Sequence, residues 1–177
     1  MRTALLFLVV TMPTMSHAAR ADDDPFAPAK AGKLECFAPN TEKKTCLDMT
    51  RYTWEANGQI LEEDEYAISA NPLITAKNKD YVEIANDEAC QVISAPKILG
   101  ANYFRDGVRV LESEETQFRQ RDLRQMSSLV GKRLCMSLSP NESLFIAEYS
   151  INGIPRPSAT NRLKWISPDE GYVLAPQ

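Results

Sequence analysis

The sequence predicts an α+β domain, in which one main amphipathic helix packs on an antiparallel β-sheet built from hairpins and disulfide bonds stabilise the fold. Three Asn-Gly or Asp-Gly dipeptides, one helical pattern at about residues 114–130 and four cysteines support this prediction. Many strands with a single substantial helix are typical of α+β domains.

Hairpin turns are the strongest local signal. An Asn or Asp followed by Gly readily adopts the left-handed dihedral angles that a type I′ turn requires. Three such dipeptides lie between strand-like segments: Asn57-Gly58, Asp106-Gly107 and Asn152-Gly153. Further strands are predicted at residues 65–70, 81–84, 134–138, 163–166 and 172–174.

The helix is predicted from about residue 114 to residue 130. Ser113 is a suitable N-cap, and Gly131 is a natural stop after the last turn. We expect an apolar stripe of the helix to face the sheet. The stripe consists of Phe118, Leu123, Met126, Leu129 and Val130.

The chain is expected to have three parts. Residues 1–18 read as a signal peptide, with Arg2, an apolar run and small residues around a cleavage site. Residues 19–33 are expected to form a disordered tail, and residues 34–177 a single globular domain. The only histidine, His17, lies in the predicted signal peptide, which would leave the mature chain without the commonest general base and metal ligand.

All four cysteines follow the predicted signal peptide. An even number of cysteines in an exported chain indicates two disulfides, and four cysteines allow three pairings. We favour Cys36–Cys46, which closes a short loop, and Cys90–Cys135, which ties the middle of the chain to the strand after the helix. The sequence contains no Cys-x-x-Cys motif, so it does not indicate a redox role.

The candidate binding residues are Glu115, Arg119 and Asp122. Their spacing places all three on the same side of the predicted helix. One interpretation is a partly buried cluster that orients a ligand or a polar group of a partner. The other is that these charges lie in water beyond the sheet. The sequence assigns no catalytic residue, no metal ligand and no cofactor.

Residues 62–65, Glu-Glu-Asp-Glu, form the densest run of acidic side chains. Paired carboxylates act as general acid and base in glycoside cleavage, and they also bind calcium. Neighbouring residues of a strand face opposite sides, and the spacing of a calcium-binding loop is absent. The run is therefore interpreted as a charged strand edge that discourages pairing with other chains.

Three stretches resemble a group of small exported proteins of Gram-negative α-proteobacteria. They are residues 32–36 (GKLEC), 149–153 (YSING) and 165–172 (WISPDEGY). The likeness covers most of the chain after residue 18, and its motifs are structural. The resemblance implies an exported location and implies no particular activity.

Charge and hydropathy narrow the function classes. The net charge of −4 disfavours nucleic acid as the main partner, and no apolar run after residue 18 is long enough to span a membrane. The leading hypothesis is a soluble, non-enzymatic periplasmic or secreted interaction module that binds an envelope protein or glycan. The alternative is a His-free, carboxylate-dependent hydrolase acting on an envelope glycan through Glu115, Arg119 and Asp122. The sequence leaves the ligand and the oligomeric state open.

Overall fold

The computed structural model describes residues 24–176, of which about half lie in β-strands and 18% in helices. Eight antiparallel strands close into a barrel. The predicted α+β fold, with a helix packed on an open sheet, is therefore wrong. The physical reason is that the strands pair all the way round, which leaves no open sheet for the helix to cover.

The elements are numbered in chain order. The strands are β1 (Leu34–Phe37), β2 (Thr45–Cys46), β3 (Asp48–Trp54), β4 (Ile60–Ala70), β5 (Leu73–Ala85), β6 (Glu88–Val92), β7 (Asn102–Arg105), β8 (Val108–Arg109), β9 (Arg133–Asn141), β10 (Leu144–Ile151), β11 (Ile154–Pro155), β12 (Asn161–Ile166) and β13 (Val173–Leu174). The helices are α1 (Ala27–Lys30), α2 (Ala95–Leu99) and α3 (Glu112–Met126), with a 3-10 turn at Pro157–Ala159.

The barrel is closed by its two longest strands. The strands follow one another in the order β4, β3, β1, β12, β10, β9, β6 and β5, and β5 pairs again with β4. The pairing of β4 with β5 runs from Ile60 and Val82 to Ala70 and Leu73. Beyond the barrel, β5 also pairs with the β7–β8 hairpin. β11 pairs with β10, and β2 and β13 form a separate parallel ribbon.

Alternation along the strands decides which side chains fill the barrel. In β3, Thr50 and Tyr52 are buried, whereas Arg51 and Thr53 are exposed. Successive side chains of a strand face opposite sides, so one set fills the interior and the other faces outward. The main apolar cluster consists of Phe26, Ala29, Tyr52, Ile60, Val82, Ala89, Met136, Leu138, Ala147, Leu163 and Trp165.

The three predicted hairpins are present, and they join β3 to β4, β7 to β8 and β10 to β11. Asp106 and Gly107 have φ angles of 49° and 81°, as a type I′ turn requires, and residues 152–153 are similar. A fourth turn, Asn86-Asp87, joins β5 to β6 with φ angles of 52° and 63°. It lacks the glycine that marks the other turns in the sequence.

Helix α1 covers one end of the barrel. Phe26, directly before it, is fully buried and packs edge-on against Tyr52 and Trp165, with ring centroids 6.2 and 6.3 Å apart. Burial of a side chain of this size contributes about 1.5–3 kcal/mol. Within the predicted tail of residues 19–33, Ala27–Lys30 therefore form a short helix that the buried Phe26 side chain anchors. The predicted signal peptide lies outside the described residues.

Helix α3 begins and ends earlier than the predicted residues 114–130. Leu111 occupies the N-cap position and makes no side-chain hydrogen bond, so Ser113 is not the cap. The residues of the expected apolar stripe are only half-buried, with Phe118 stacked on Tyr103, whereas the buried side chains within α3 are Glu115 and Asp122. The reason is that α3 packs against α2 and β7 outside the barrel rather than on a sheet face.

Two disulfides join Cys36 to Cys46 and Cys90 to Cys135, the pairing that the sequence favours. Cys90 and Cys135 are directly paired residues of the neighbouring strands β6 and β9. Cys36 and Cys46 are fully buried and pack with Ile166. Both bonds therefore link segments that the barrel already brings together.

Removal of either disulfide is expected to destabilise the barrel. Cys90–Cys135 closes a sequence separation of 45 residues and Cys36–Cys46 one of 10. In the chain-entropy model these bonds contribute about 4 and about 3 kcal/mol, because they restrict the unfolded chain. Urea unfolding of the Cys90→Ala/Cys135→Ala and Cys36→Ala/Cys46→Ala proteins measures both losses against the oxidised wild type. Unchanged unfolding midpoints would contradict this prediction.

Candidate functional site

Two adjacent cavities lie in the barrel and at its mouth. The inner cavity, about 140 Å³, lies among the side chains that face the barrel interior. The mouth cavity, about 700 Å³, lies between α2, α3 and the adjoining barrel strands. Asp48, Asp64, Gln91 and Leu134 line both cavities. These four residues form the boundary between them.

Four acidic side chains line the inner cavity: Glu35, Asp48, Glu62 and Asp64. We call them the interior carboxylates. They lie on β1, β3 and β4, and strand register brings them together, because Thr50 pairs with Glu35 on one side and with Asp64 on the other. Barrel closure therefore concentrates acidic groups in a small volume.

The acidic run at residues 62–65 is not a strand edge, contrary to the expectation. Strand β4 pairs with β3 on one side and with β5 on the other. Glu63 and Glu65 face outward, and each forms an ion pair with a lysine of β5. Glu62 and Asp64 face inward and line the inner cavity. The same run thus supplies both outer ion pairs and interior carboxylates.

Lys97 brings one ammonium group to this acidic interior. Ser94 caps α2 by accepting a hydrogen bond of 3.2 Å from the backbone N–H of Lys97. The Lys97 side chain is only 9% exposed and donates a hydrogen bond to Gln91. Its Nζ atom lies 3.5 Å from Glu62 Oε2 and 3.4 Å from Asp80 Oδ2. Lys97 therefore brings one positive charge close to Glu62 and Asp80.

Asp48 and Asp64 share the hydroxyl group of Thr50. The Thr50 Oγ1 atom lies 3.0 Å from Asp64 Oδ1 and 3.5 Å from Asp48 Oδ1. Among residues 24–176, neither aspartate forms an ion pair. A hydroxyl has one proton to donate, so it satisfies only a small part of the acceptor capacity of two carboxylates.

Glu35 is fully buried and only partly hydrogen-bonded. Its Oε2 atom accepts a hydrogen bond of 2.9 Å from the Tyr52 hydroxyl. Its Oε1 atom has no hydrogen-bond partner in the described part of the chain. A buried polar atom without a partner costs about 1–3 kcal/mol and is uncommon in folded proteins. This cost is consistent with a functional role for Glu35.

Burial raises the pKa of every interior carboxylate. It raises the pKa of Glu35 and of Asp48 well above the usual range, and that of Asp64 to a smaller extent. Burial and the neighbouring Asp64 charge raise the pKa of Glu62 to about 8, although Lys97 acts in the opposite direction. Part of the cluster therefore stays protonated near neutral pH, which limits repulsion among the four groups.

The interior carboxylates do not form a compact metal centre. Within residues 24–176, one set of three potential ligand atoms lies within 4.8 Å of one another, at Glu88, Cys90 and Cys135. Both cysteines of this set are in a disulfide and supply no thiolate. Oxygen ligands of calcium lie at about 2.3–2.6 Å from the ion, so they must lie close together. Among the described residues, no three interior carboxylates have ligand oxygens within 4.8 Å of one another.

Of the residues predicted from the sequence, Glu115 and Arg119 belong to a network between α3 and β7. Glu115 accepts a hydrogen bond of 3.2 Å from the backbone N–H of Tyr103. It also forms ion pairs with Arg109 and Arg119, both at 3.2 Å. Burial acts to raise the pKa of Glu115, but the hydrogen bond from Arg109 and the other contacts hold it below its usual value. Glu115 is therefore ionised, and its carboxylate already contacts Tyr103, Arg109 and Arg119.

Asp122, the third predicted residue, belongs to the same network. It accepts a hydrogen bond of 2.6 Å from the Tyr103 hydroxyl and forms an ion pair with Arg121 at 3.0 Å. It also lines the mouth cavity, whereas Glu115 and Arg119 do not. The contacts of these three side chains fasten α3 to the rest of the fold. Their role in binding remains a prediction.

The sequence does not single out the interior carboxylates as a site, although a signal is present. Polar residues alternate at positions 48, 50 and 52 and again at 62 and 64, which places each set on one face of a strand. The sequence does not show how the strands pair, and it is this pairing that places both faces inside the barrel. No local sequence pattern marks Lys97 as part of the site, because its contacts with Glu62 and Asp80 depend on where α2 packs.

Comparison with protein-family models, curated proteins and solved structures finds no match to this chain. The resemblance to exported α-proteobacterial proteins therefore stays an expectation. In the described part of the chain, no helix combines the length and apolar character needed to cross a membrane. The two disulfides are compatible with an oxidising, extracytoplasmic compartment.

Stability is expected to fall as the pH rises from about 5 to about 8. Glu62 keeps its proton to about pH 8 in the folded protein, whereas its ordinary pKa is 4.5, so the folded state binds more protons in this range. Each extra proton lowers the unfolding free energy by up to about 1.4 kcal/mol per pH unit. Urea unfolding at several pH values measures this slope.

Glu62→Gln is expected to reduce the slope, because glutamine does not titrate. Glu63→Gln is the matched control, since it lies next to Glu62 on the outer face of β4 and should keep the wild-type slope. Equal slopes for the wild type and the Glu62→Gln variant, or stability that rises between pH 5 and 8, would contradict this prediction.

Proposed function

We propose that the chain is an exported, non-enzymatic binding module whose binding site is the mouth cavity. The observation that carries this proposal is a concave space of about 700 Å³ between the barrel and two helices. Small-molecule sites are typically clefts of about 300–1,000 Å³, and the mouths of β-barrels are a frequent location for them.

The lining of the mouth cavity supports binding of a ligand. Ile68, Ile93, Ile98 and Met126 supply apolar surface from the barrel wall and both helices. Asp48, Asp64, Asn78 and Gln91 supply polar groups where the wall meets the inner cavity. An apolar wall with a few converging polar groups is typical of ligand sites, because the polar groups fix the orientation of the ligand.

The proposed setting is the periplasm or the extracellular medium of a bacterium. The signal-like residues 1–18 and the two disulfides support export. The proposed partner class remains an envelope component, either a glycan or a protein. A cavity of this size accommodates a small ligand or a single projecting group of such a partner.

The alternative, a carboxylate-dependent hydrolase acting through Glu115, Arg119 and Asp122, has less support. A general acid must hold a proton at the working pH and reach the substrate. Glu115 is ionised and paired with two arginines, and it does not line the mouth cavity. Asp122 lines the cavity but is bonded to Tyr103 and Arg121. These contacts favour a structural role for both carboxylates.

A bulky side chain at the rim of the mouth cavity is expected to prevent binding. Gln125 is exposed on α3 and lines the cavity, so Gln125→Trp fills part of the space without disturbing buried residues. Gln120→Trp is the matched control, because Gln120 is exposed on the same helix but does not line the cavity. We expect members of a fragment library to shift the backbone amide resonances of Ile93 and Ile98 in NMR spectra of the wild type and the control.

The same fragments should leave these resonances unchanged in the Gln125→Trp variant. Circular dichroism of both variants checks that the fold is intact. The proposed function is wrong if no fragment perturbs the resonances of the cavity lining, or if Gln125→Trp binds as well as Gln120→Trp.

A further inference from the structure

We infer that the two cavities together bind a primary amine that carries an apolar body, with its ammonium group between Asp48 and Asp64. The inference rests on the proposed function and specifies the ligand class for the same cavity. Four observations support it: the acceptors at the cavity boundary, the orphan atom of Glu35, the contacts of Lys97 and the apolar lining of the mouth.

The acceptors at the boundary are suited to an ammonium group. Asp48 and Asp64 line both cavities and flank the Thr50 hydroxyl, at 3.5 and 3.0 Å from it. Both residues are half-buried, and neither has an ion-pair partner within residues 24–176. A primary ammonium group has three N–H donors, so it can bond to both carboxylates at once.

Glu35 supplies an independent indication that the inner cavity receives a hydrogen-bond donor. Its side chain lines this cavity with no exposure to solvent, and its Oε1 atom has no hydrogen-bond partner in the described residues. Donation from a ligand would satisfy this atom, because folded proteins rarely leave a buried oxygen unbonded. A positively charged donor fits best, since the surrounding groups are acidic.

Lys97 shows how the fold itself accommodates an ammonium group. Its Nζ atom enters the acidic interior from α2 and is shared by Glu62, Asp80 and Gln91. This arrangement places a primary ammonium among two carboxylates and an amide oxygen, with almost no exposure to solvent. Asp48 and Asp64 offer the same kind of acceptors and form no ion pair within residues 24–176, although the nearby Lys97 charge acts to lower the pKa of both.

The spacing of the acceptors favours an organic cation over a bare metal ion. No three of the interior carboxylates have ligand oxygens within 4.8 Å of one another among the described residues. A chelated ion requires such closeness, because each metal–oxygen bond is short. An ammonium group tolerates wider spacing, since its N···O contacts are about 2.7–2.9 Å long and point in different directions.

The mouth cavity defines the rest of the ligand. Ile68, Ile93 and Met126 supply apolar surface to the lining of this cavity, which also includes the charged side chains of Lys97, Arg121 and Asp122. A ligand with its ammonium group at the boundary would place its remaining atoms against the apolar side chains. An apolar body gains from this contact, because it leaves water. The site therefore selects amines that have an apolar chain or ring over small hydrophilic amines.

Three probes of equal length test the inference: n-hexylamine, 1-hexanol and hexanoate, which are cationic, neutral and anionic near neutral pH. Isothermal titration calorimetry of the oxidised mature protein is expected to show hexylamine binding at least about tenfold more tightly than hexanol, with hexanoate weakest. The reason is that charge-assisted hydrogen bonds are about twice as strong as neutral ones, and the ammonium group can form one with each aspartate.

Two isosteric variants locate the ammonium group. Asp64→Asn and Asp48→Asn should each weaken hexylamine binding by about tenfold or more, while they leave hexanol binding unchanged. Glu63→Gln is the matched control, because it removes an acid from the outer face of the same strand and should bind hexylamine like the wild type. Thermal unfolding of each variant verifies that it is folded.

The outcomes separate this inference from the proposed function. If hexanol or hexanoate binds as tightly as hexylamine, or if both asparagine variants bind hexylamine like the wild type, the ammonium site is wrong while binding in the mouth cavity stands. If none of the three probes binds although other fragments occupy the mouth cavity, the ligand class is equally wrong. Failure of all fragments with the wild type would overturn the proposed function itself.

Discussion

The pairing of β4 with β5 is the constraint on which the rest of the structure depends. It joins the two ends of the strand order and turns a sheet into a barrel. Because side chains alternate along each strand, closure forces every inward position into one shared interior. This interior holds the main apolar cluster, and it also holds the acidic residues Glu35, Asp48, Glu62 and Asp64, which line the inner cavity.

An interior of this kind is electrostatically unfavourable on its own. Charged groups lose hydration energy when they are buried, and like charges repel each other more strongly there. The fold reduces this cost in two ways. Burial keeps part of the cluster protonated and therefore uncharged, and the positive charge of Lys97 acts to lower the pKa of Asp48, Glu62 and Asp64. Asp48 and Asp64 receive neither an ion pair nor a second donor from the described chain. A cationic ligand at that position would complete the compensation, which links the stability of the barrel to binding.

The sequence predicts local features of this fold better than global ones. Asp106-Gly107 predicts its hairpin correctly, because the turn conformation depends on two residues and their backbone angles. The barrel is not predicted, because it also needs pairings between strands far apart in the chain, such as β1 with β12 and β6 with β9. Residues 114–130 are overinterpreted as a core-facing helix. The acids of β4 illustrate the same limit. Their alternation is visible in the sequence, but whether Glu62 or Glu63 faces the interior depends on the completed barrel.

The central claim is that the interior carboxylates contact a bound amine. Side-chain carboxyl ¹³C resonances, recorded with and without saturating hexylamine, test it most directly because each carboxylate reports on its own surroundings. Large shifts are expected for Asp48, Asp64 and Glu35, and no shift is expected for the outward-facing Glu63. Shifts confined to outer acids, with the interior resonances unchanged while hexylamine is bound, would contradict it.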